Sequence, residues 1–368
     1  MSSSVITQQS IGVATEAQRG ITSAQEMRNL LFDGNSAAFR NRIINGDMRI
    51  AQRGTDSGTV SLSNTFICDR FTNYSFSGTG RVQQVTVTDL PGFRYAQRYT
   101  VGSVSTRHLT TQRVEGFNVL DFPNKNVTMS FYVRGSKSFT FGFELYIPLS
   151  PTVQSYVKDI SVTTSWQKIV ITIPMYSSIG SYTNGAAFET VFNWYPDQTA
   201  LTASSQAWVS GDKQGITGTT YSFNTANDWV EFTGASIENG GVETSFEYRP
   251  YTTEISLCQR YCYVFGGNDY YEKFSFVGTC GGSFAYFVFN SANGMRTNQP
   301  TFSVSALSNF VVTDLFNSYT LASIALDSKS IYSPSIYVTL SGTLGAGRAV
   351  FLQTNNTLSA RLTVSAEL

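Results

Sequence analysis

From about residue 41 to the end, apolar and polar side chains alternate over short runs, and each run is closed by Gly, Asn, Asp or Pro. RVQQVTVTDLPG, NVTMSFYVRG, SFTFGFELYIP, WQKIVITIP and DWVEFTGASIENGG are clear cases. Val127, Met129, Phe131 and Val133 alternate with Thr128, Ser130 and Tyr132, and Ile169, Ile171 and Ile173 repeat the pattern downstream. A period of two buries one face per strand, which predicts antiparallel sheets stacked as a sandwich.

Residues 1–40 lack this alternation. They begin Ser/Gln-rich and continue as ITSAQEMRNLLFDG, where Ser23 and Glu26 can form a capping box and Gly34 can end a helix. Ala17, Ile21, Ala24 and Leu31 fall on one helical seam, interrupted by Arg28. This segment is expected to attach or oligomerise the chain, the alternative being a helix lying on the next domain. Near residue 250 the pattern changes again: FEYRPYTTEISLCQRYCYVFGG reads as a helix or a linking strand, and a second set of short strands follows. The expected organisation is an N-terminal segment at 1–40, a β-sandwich at 41–250 and a smaller C-terminal β domain at 251–368. No fixed-period repeat supports a solenoid or propeller.

Composition agrees with an all-β chain. The 368 residues exceed one ordinary domain, and 27 Phe with 20 Tyr suit pleated, half-buried surfaces. Lys plus Arg equals Asp plus Glu at 25 each, so no long-range field would gather a polyanion, and nucleic-acid binding is not expected. The start, MSSSVITQQSIGV, has neither a charged nor an apolar leader region, and no run of about eighteen apolar residues occurs. Membrane insertion is therefore not expected, and synthesis in a cytoplasm is. Cys68, Cys258, Cys262 and Cys280 are too few and too irregular for a disulfide framework and read as buried free thiols.

Candidate chemistry is sparse. The single histidine, His108, sits in STRHLTTQ and reads as a polar strand residue, far from any nucleophile motif. Asp197, Asp212, Glu189 and Glu231 fall in or near the loop-rich middle and read as loop or rim carboxylates rather than a glycosidase pair. Cys258 and Cys262 share a helical spacing without a second ligand pair, and the glycines fall in turn dipeptides rather than a phosphate-binding loop. No catalytic residue, metal or cofactor is expected. Trp166 and Trp229 read as core or strand-end residues. Trp194, Tyr195, Asp197 and Trp208 flank a polar loop, where exposed rings beside polar groups would suit a sugar, ordinary sandwich packing being the alternative.

Two stretches resemble a family of tailed-bacteriophage structural proteins, the tail fibres and appendages. The first runs from Asn41 through Ile43, Asn45-Gly46-Asp47 and Gln52-Arg53-Gly54-Thr55 to Asp69-Arg70-Phe71. It is similar to that family's N-x-I-x-N-G-D opening, Q-R-G-T and D-R-[FW]. The second, Thr244-Ser245-Phe246-Glu247-Tyr248-Arg249-Pro250 followed by Leu257-Cys258-Gln259-Arg260-Tyr261, resembles its sandwich exit and link, and Arg361 to Leu368 looks like its terminal strand. Residues 1–40 and the middle loops carry no such likeness. The resemblance implies a jelly-roll sandwich similar to carbohydrate-binding modules, carried on a virion.

The expected function is thus a non-enzymatic virion protein, a tail fibre or appendage that contributes to host-surface glycan recognition. It would assemble as a homotrimer and join other virion proteins through its N-terminal segment. A capsid decoration or head fibre without a specific receptor is the first alternative, a polysaccharide depolymerase the second and a free bacterial lectin the third. Asn45-Gly46-Asp47 is expected to make a tight turn and Gly54 to take a positive φ. Asp69 and Arg70 are expected to close the sandwich through hydrogen bonds.

Overall fold

The alternating runs become strands that pair antiparallel in almost every case. The computed structural model describes residues 39–196, 201–204, 206–289, 291, 294–314 and 316–368. The expected helix of the N-terminal segment lies outside them. In chain order the first strands are β1 (Thr65–Phe66), β2 (Thr72–Phe76), β3 (Gly80–Thr86), β4 (Tyr95–Val101), β5 (Arg107–Glu115), β6 (Asn126–Gly135) and β7 (Phe139–Ile147). Then come β8 (Gln154–Val162), β9 (Gln167–Pro174), β10 (Ala186–Asn193), β11 (Thr202–Ala203), β12 (Trp208–Ser210), β13 (Gly215–Ile216) and β14 (Trp229–Asn239).

One sheet has the order β1-β2-β5-β10-β7-β8-β12 and the other β3-β4-β14-β6-β9, and together they make a jelly-roll-like sandwich. Period-two alternation puts Phe139, Phe141, Phe143, Leu145 and Ile147 of β7 inside, all buried. They meet Met129, Phe131 and Val133 of β6, and Phe131 stands edge-on to Phe192 at 5.1 Å between ring centres. Each such ring contributes about 1.5–3 kcal/mol by leaving water. The short β11 and β13 pair parallel to one another, and their segment lies across the outer face of the seven-stranded sheet.

Pro250 opens a helix, α1 (Tyr251–Gln259), which settles the helix-or-strand alternative, and its Glu254 and Cys258 face inward one turn apart. Beyond it run β15 (Cys262–Phe265), β16 (Lys273–Cys280), β17 (Phe284–Val288), β18 (Thr301–Val304), β19 (Phe310–Thr313), β20 (Ser318–Leu326), β21 (Ser335–Leu340), β22 (Ala349–Thr354) and β23 (Leu362–Ser365). Six of these close a barrel in the order β16-β17-β21-β20-β19-β22, which removes free sheet edges, and β15-β23-β18 form a separate sheet. Both share a second core around Phe287, Phe310, Ile336, Leu352, Leu362 and Val364. The two large cores draw on residues Ile43 to Ile237 and Tyr263 to Ala366 respectively.

The residues that carry the family resemblance meet in space, at the joint between these cores. Asn45 has φ +59°, Met48 N–H closes the turn onto the Asn45 carbonyl at 2.9 Å, and Gly54 has φ +115°. Gly46 must lack a side chain because a Cβ there would sit 2.1 Å from the Ala235 carbonyl oxygen, where β14 bulges. The Asn45 amide donates to the Ile50 and Asp69 carbonyls, and Arg249 donates to the carbonyls of Asn41 and Ile43 while facing Glu254 at 3.3 Å.

Arg70 does more than close the sandwich. Its guanidinium lies 3.5 Å from the centre of the Tyr261 ring, pairs with Glu367 and donates to the Arg113 carbonyl at 2.8 Å, so it ties the sandwich to the second domain. Glu115 completes the joint by accepting from Arg260 and from the Tyr261 hydroxyl at 2.7 Å. Asp69 does act within the sandwich, accepting from the Gln52 backbone N–H at 3.1 Å and from its side-chain amide.

Candidate functional site

The alternation of β10 runs one residue past its end: Phe188, Thr190 and Phe192 face the core, and so does Trp194. This corrects the expectation of an exposed ring there. Trp194 is fully buried against Phe141, Phe192 and Phe232, and its indole N–H donates to Thr110 Oγ1 at 3.0 Å. Tyr195 is half-buried, and Asp197 lies outside the described residues. Trp208 sits on the edge strand β12, half-buried between Tyr156 and Tyr176, and donates to the Pro174 carbonyl at 2.6 Å. Among the described residues Trp194 and Trp208 share no ring neighbour, so these build no common platform.

Other singled-out residues are anchored as well. Glu231 is a buried residue of β14 rather than a rim residue, held between Arg98 and Arg134, each donating Nε–H at 2.7 Å. Trp229 and Trp166 lie under those guanidinium groups, at 4.8 and 4.6 Å. Glu189 pairs with Arg113 at 3.1 Å, and Asp212 accepts from the Gln214 amide at 2.9 Å.

His108 is buried in β5, with Nδ1 2.9 Å from the Tyr99 hydroxyl and Nε2 3.1 Å from Asn224 Oδ1. Burial pulls its pKa down to about 4, against a smaller upward pull from Asn224. All four cysteines are buried and unpaired.

Nothing in the sequence marks Glu144, one more polar residue of an alternating strand. It faces outward from β7 but is sealed beneath the β11–β13 segment, where it takes the Ser155 hydroxyl hydrogen bond. Burial, reinforced by Asp212, holds its carboxyl well above the usual range. The same segment closes this end of the sheet face: Asn193 donates to Gln214 Oε1 at 2.8 Å, and Asp159 accepts from Thr219 and Tyr221.

An open surface survives at the seam between the two domains. Alternation in β18 and β23 turns Phe302, Val304, Leu362 and Val364 toward the second core and leaves Thr301, Ser303, Thr363 and Ser365 outside. Thr301 is registered opposite Ser365 and Ser303 opposite Thr363, so four hydroxyls form a two-by-two array on one sheet face. Asn64, Phe66 and Arg53 of the sandwich face this array, and Arg296, Gln299 and Arg361 complete a cleft of about 520 Å³. A second hollow of about 330 Å³ adjoins it through the shared Arg296 and Leu368, with Arg113, Tyr146 and Glu189 as its polar lining. Arg53 and the stretch Arg361 to Leu368 belong to the motifs of the resemblance and Glu189 reads as a rim carboxylate, but nothing in the sequence joins them into a groove. Its hydroxyls come from strands some sixty residues apart, and only the strand pairing brings them together.

No protein-family model matches the chain, and neither does any curated protein. Among solved structures, the enzymatically active domain of bacteriophage CBA120 tailspike protein 4 is 10% identical, with a TM-score of 0.33, over 55% of this chain and 22% of that one. The N-terminal cellulose-binding domain of Cellulomonas fimi β-1,4-glucanase C is 11% identical, with a TM-score of 0.30, over 53% of this chain and all of that one. The carbohydrate-binding module TmCBM61, in complex with β-1,4-galactotriose, is 12% identical, with a TM-score of 0.29, over 55% and 99%. At such scores these likenesses add nothing to what the strand order already gives.

Proposed function

We propose that this chain is a non-enzymatic virion protein, a tail fibre or appendage, that recognises host-surface glycan in the groove between its two domains. The observation that carries this reading is the array of Thr301, Ser303, Thr363 and Ser365 facing Asn64 and Phe66 across an open cleft. A sugar presents hydroxyls that both donate and accept, and a wall of hydroxyls and amides answers either polarity, while Phe66 supplies apolar surface for C–H groups.

The test uses the full chain and surface polysaccharide purified from a host strain. Thr301→Val with Thr363→Val removes two hydroxyls while keeping β-branched side chains suited to strands. Each lost hydrogen bond is worth about 0.5–1.5 kcal/mol, so affinity should fall roughly 5- to 150-fold with an unchanged melting temperature. Unchanged affinity would remove the groove from the reading. Release of reducing ends during the incubation would contradict the non-enzymatic part.

A further inference from the structure

The groove differs from a neutral hydroxyl-lined cleft in its charge. Lys and Arg balance Asp and Glu over the whole chain, yet the side chains lining the 520 Å³ cleft include Arg53, Arg296 and Arg361 against the single side-chain carboxylate of Glu367. That carboxylate is already engaged, by Arg53 at 3.1 Å and by Arg70 behind it.

Arg296 and Arg361 form no ion pair with a side-chain carboxylate among the described residues, Glu115 acting on Arg296 only from farther off. Arg296 is held by main-chain oxygens, donating Nε–H to Ala366 at 2.6 Å, Nη1–H to Asn184 at 3.0 Å and Nη2–H to Glu367 at 2.8 Å. Arg361 donates from Nη1 to the carbonyls of Leu358 and Ala360, each at 2.8 Å, and its Nε and Nη2 meet no acceptor among the described residues. Both guanidinium groups are thus fixed in place by neutral acceptors and keep N–H donors to spare.

Resting on the glycan reading, we infer that the groove selects an acidic saccharide, one whose sugar ring bears a carboxylate. The array of hydroxyls takes the neutral ring substituents, and Arg361, at one end of the array, takes the carboxylate. Guanidinium suits this task because its planar fork matches a carboxylate with two parallel hydrogen bonds, and such charge-assisted bonds are roughly twice as strong as neutral ones. Selectivity over a neutral sugar follows, since a neutral sugar would cover these cations without satisfying them.

The experiment places the full chain on a panel of neutral and acidic bacterial surface polysaccharides, each acidic one accompanied by a form whose carboxylates have been reduced to primary alcohols. Reduction leaves the sugar backbone intact and involves no change to the protein. Binding to an acidic member, weakened about tenfold or more by carboxyl reduction and weakened again by added salt, is the expected result. Arg361→Gln should reproduce the loss without a change in melting temperature, and Arg361→Lys should restore part of it. Equal binding to the acidic and reduced forms would overturn the acidic-sugar inference and leave the glycan reading standing. Absence of binding across the whole panel would overturn both.

Discussion

Trp194 shows how much one residue's meaning depends on where a strand is taken to end. Trp194-Tyr195-Pro196-Asp197 reads as the start of a polar loop, but the alternation through Phe188, Thr190 and Phe192 continues into Trp194 and points it inward. That signal was present in the sequence and was outweighed by the turn-like dipeptide behind it. Trp194→Ala should therefore cost about 3–5 kcal/mol in chemical unfolding, the range for emptying an aromatic site in a packed core. A loss below about 1 kcal/mol would put the ring back at the surface.

Two buried titratable groups give the sandwich opposite pH dependences. The pKa of His108 is about 4 in the fold, below its ordinary value of 6.5. The unfolded chain therefore binds the extra proton first, and stability is complete above about pH 6.5 and declines as pH falls toward 4. The two pKa values differ by enough for about 3 kcal/mol, read as the change in unfolding free energy between pH 7.5 and pH 4 and as its absence in His108→Gln.

Glu144 is raised, so its proton is kept in the fold and lost on unfolding, and stability falls as pH rises above the ordinary carboxylate range. Glu144→Gln, which cannot ionise, should stabilise the chain more at pH 8 than at pH 4. An equal effect at both would show that Glu144 is not held protonated.

At the scale of elements, the alternating runs were legible because each strand buries one face, and the sandwich and smaller β domain follow from that alone. What the sequence left open is which strands are neighbours. β5, for example, pairs with β2 on one side and β10 on the other, across loops of very different length. The groove depends on such pairing, and for that reason only its separate residues could be read beforehand.

Asn45, Arg70, Arg249 and Tyr261 of the resemblance motifs hold an interdomain joint, and that role appears only when β1, β5, α1 and β23 are brought together. Arg70→Ala would leave Glu367 beside Arg53 alone and empty the space over Tyr261. Breaking a buried pair in this way costs about 3–5 kcal/mol. Calorimetry should show the two domains separating into distinct transitions at lower temperature. An unaltered profile would mean that the joint does not couple them.

For the whole molecule, the sandwich reaches back to Phe39, inside the segment proposed to attach the chain. Phe39 N–H and Asn41 N–H both donate to the Glu247 carboxylate, and Asn41 accepts from the backbone of Ile43 and Ile237, so the folded part already includes Phe39. Removal of residues 1–38 should leave the sheet signal and melting temperature unchanged while abolishing incorporation into particles; loss of the sheet signal would make the segment part of a core.

A trimer remains the expected assembly. The barrel exposes Tyr286 beside Phe284 and Tyr337, an aromatic flank that side-by-side chains would cover. Light scattering of the full chain at micromolar concentration should give three times 40.5 kDa, and a monomer would refute it.

On this proposal the seam between the domains, and not an exposed aromatic loop, holds the sugar. Its most direct test is an experimental structure of the full chain with oligosaccharides released from host-surface polysaccharide. Sugar density is expected in the groove, with ring hydroxyls within hydrogen-bonding distance of Thr301, Ser303 or Thr363 and a carboxylate on Arg361. Sugar seated instead against Tyr156, Tyr176 and Trp208, or on the Phe284, Tyr286 and Tyr337 flank of the barrel, with the groove empty, would contradict it.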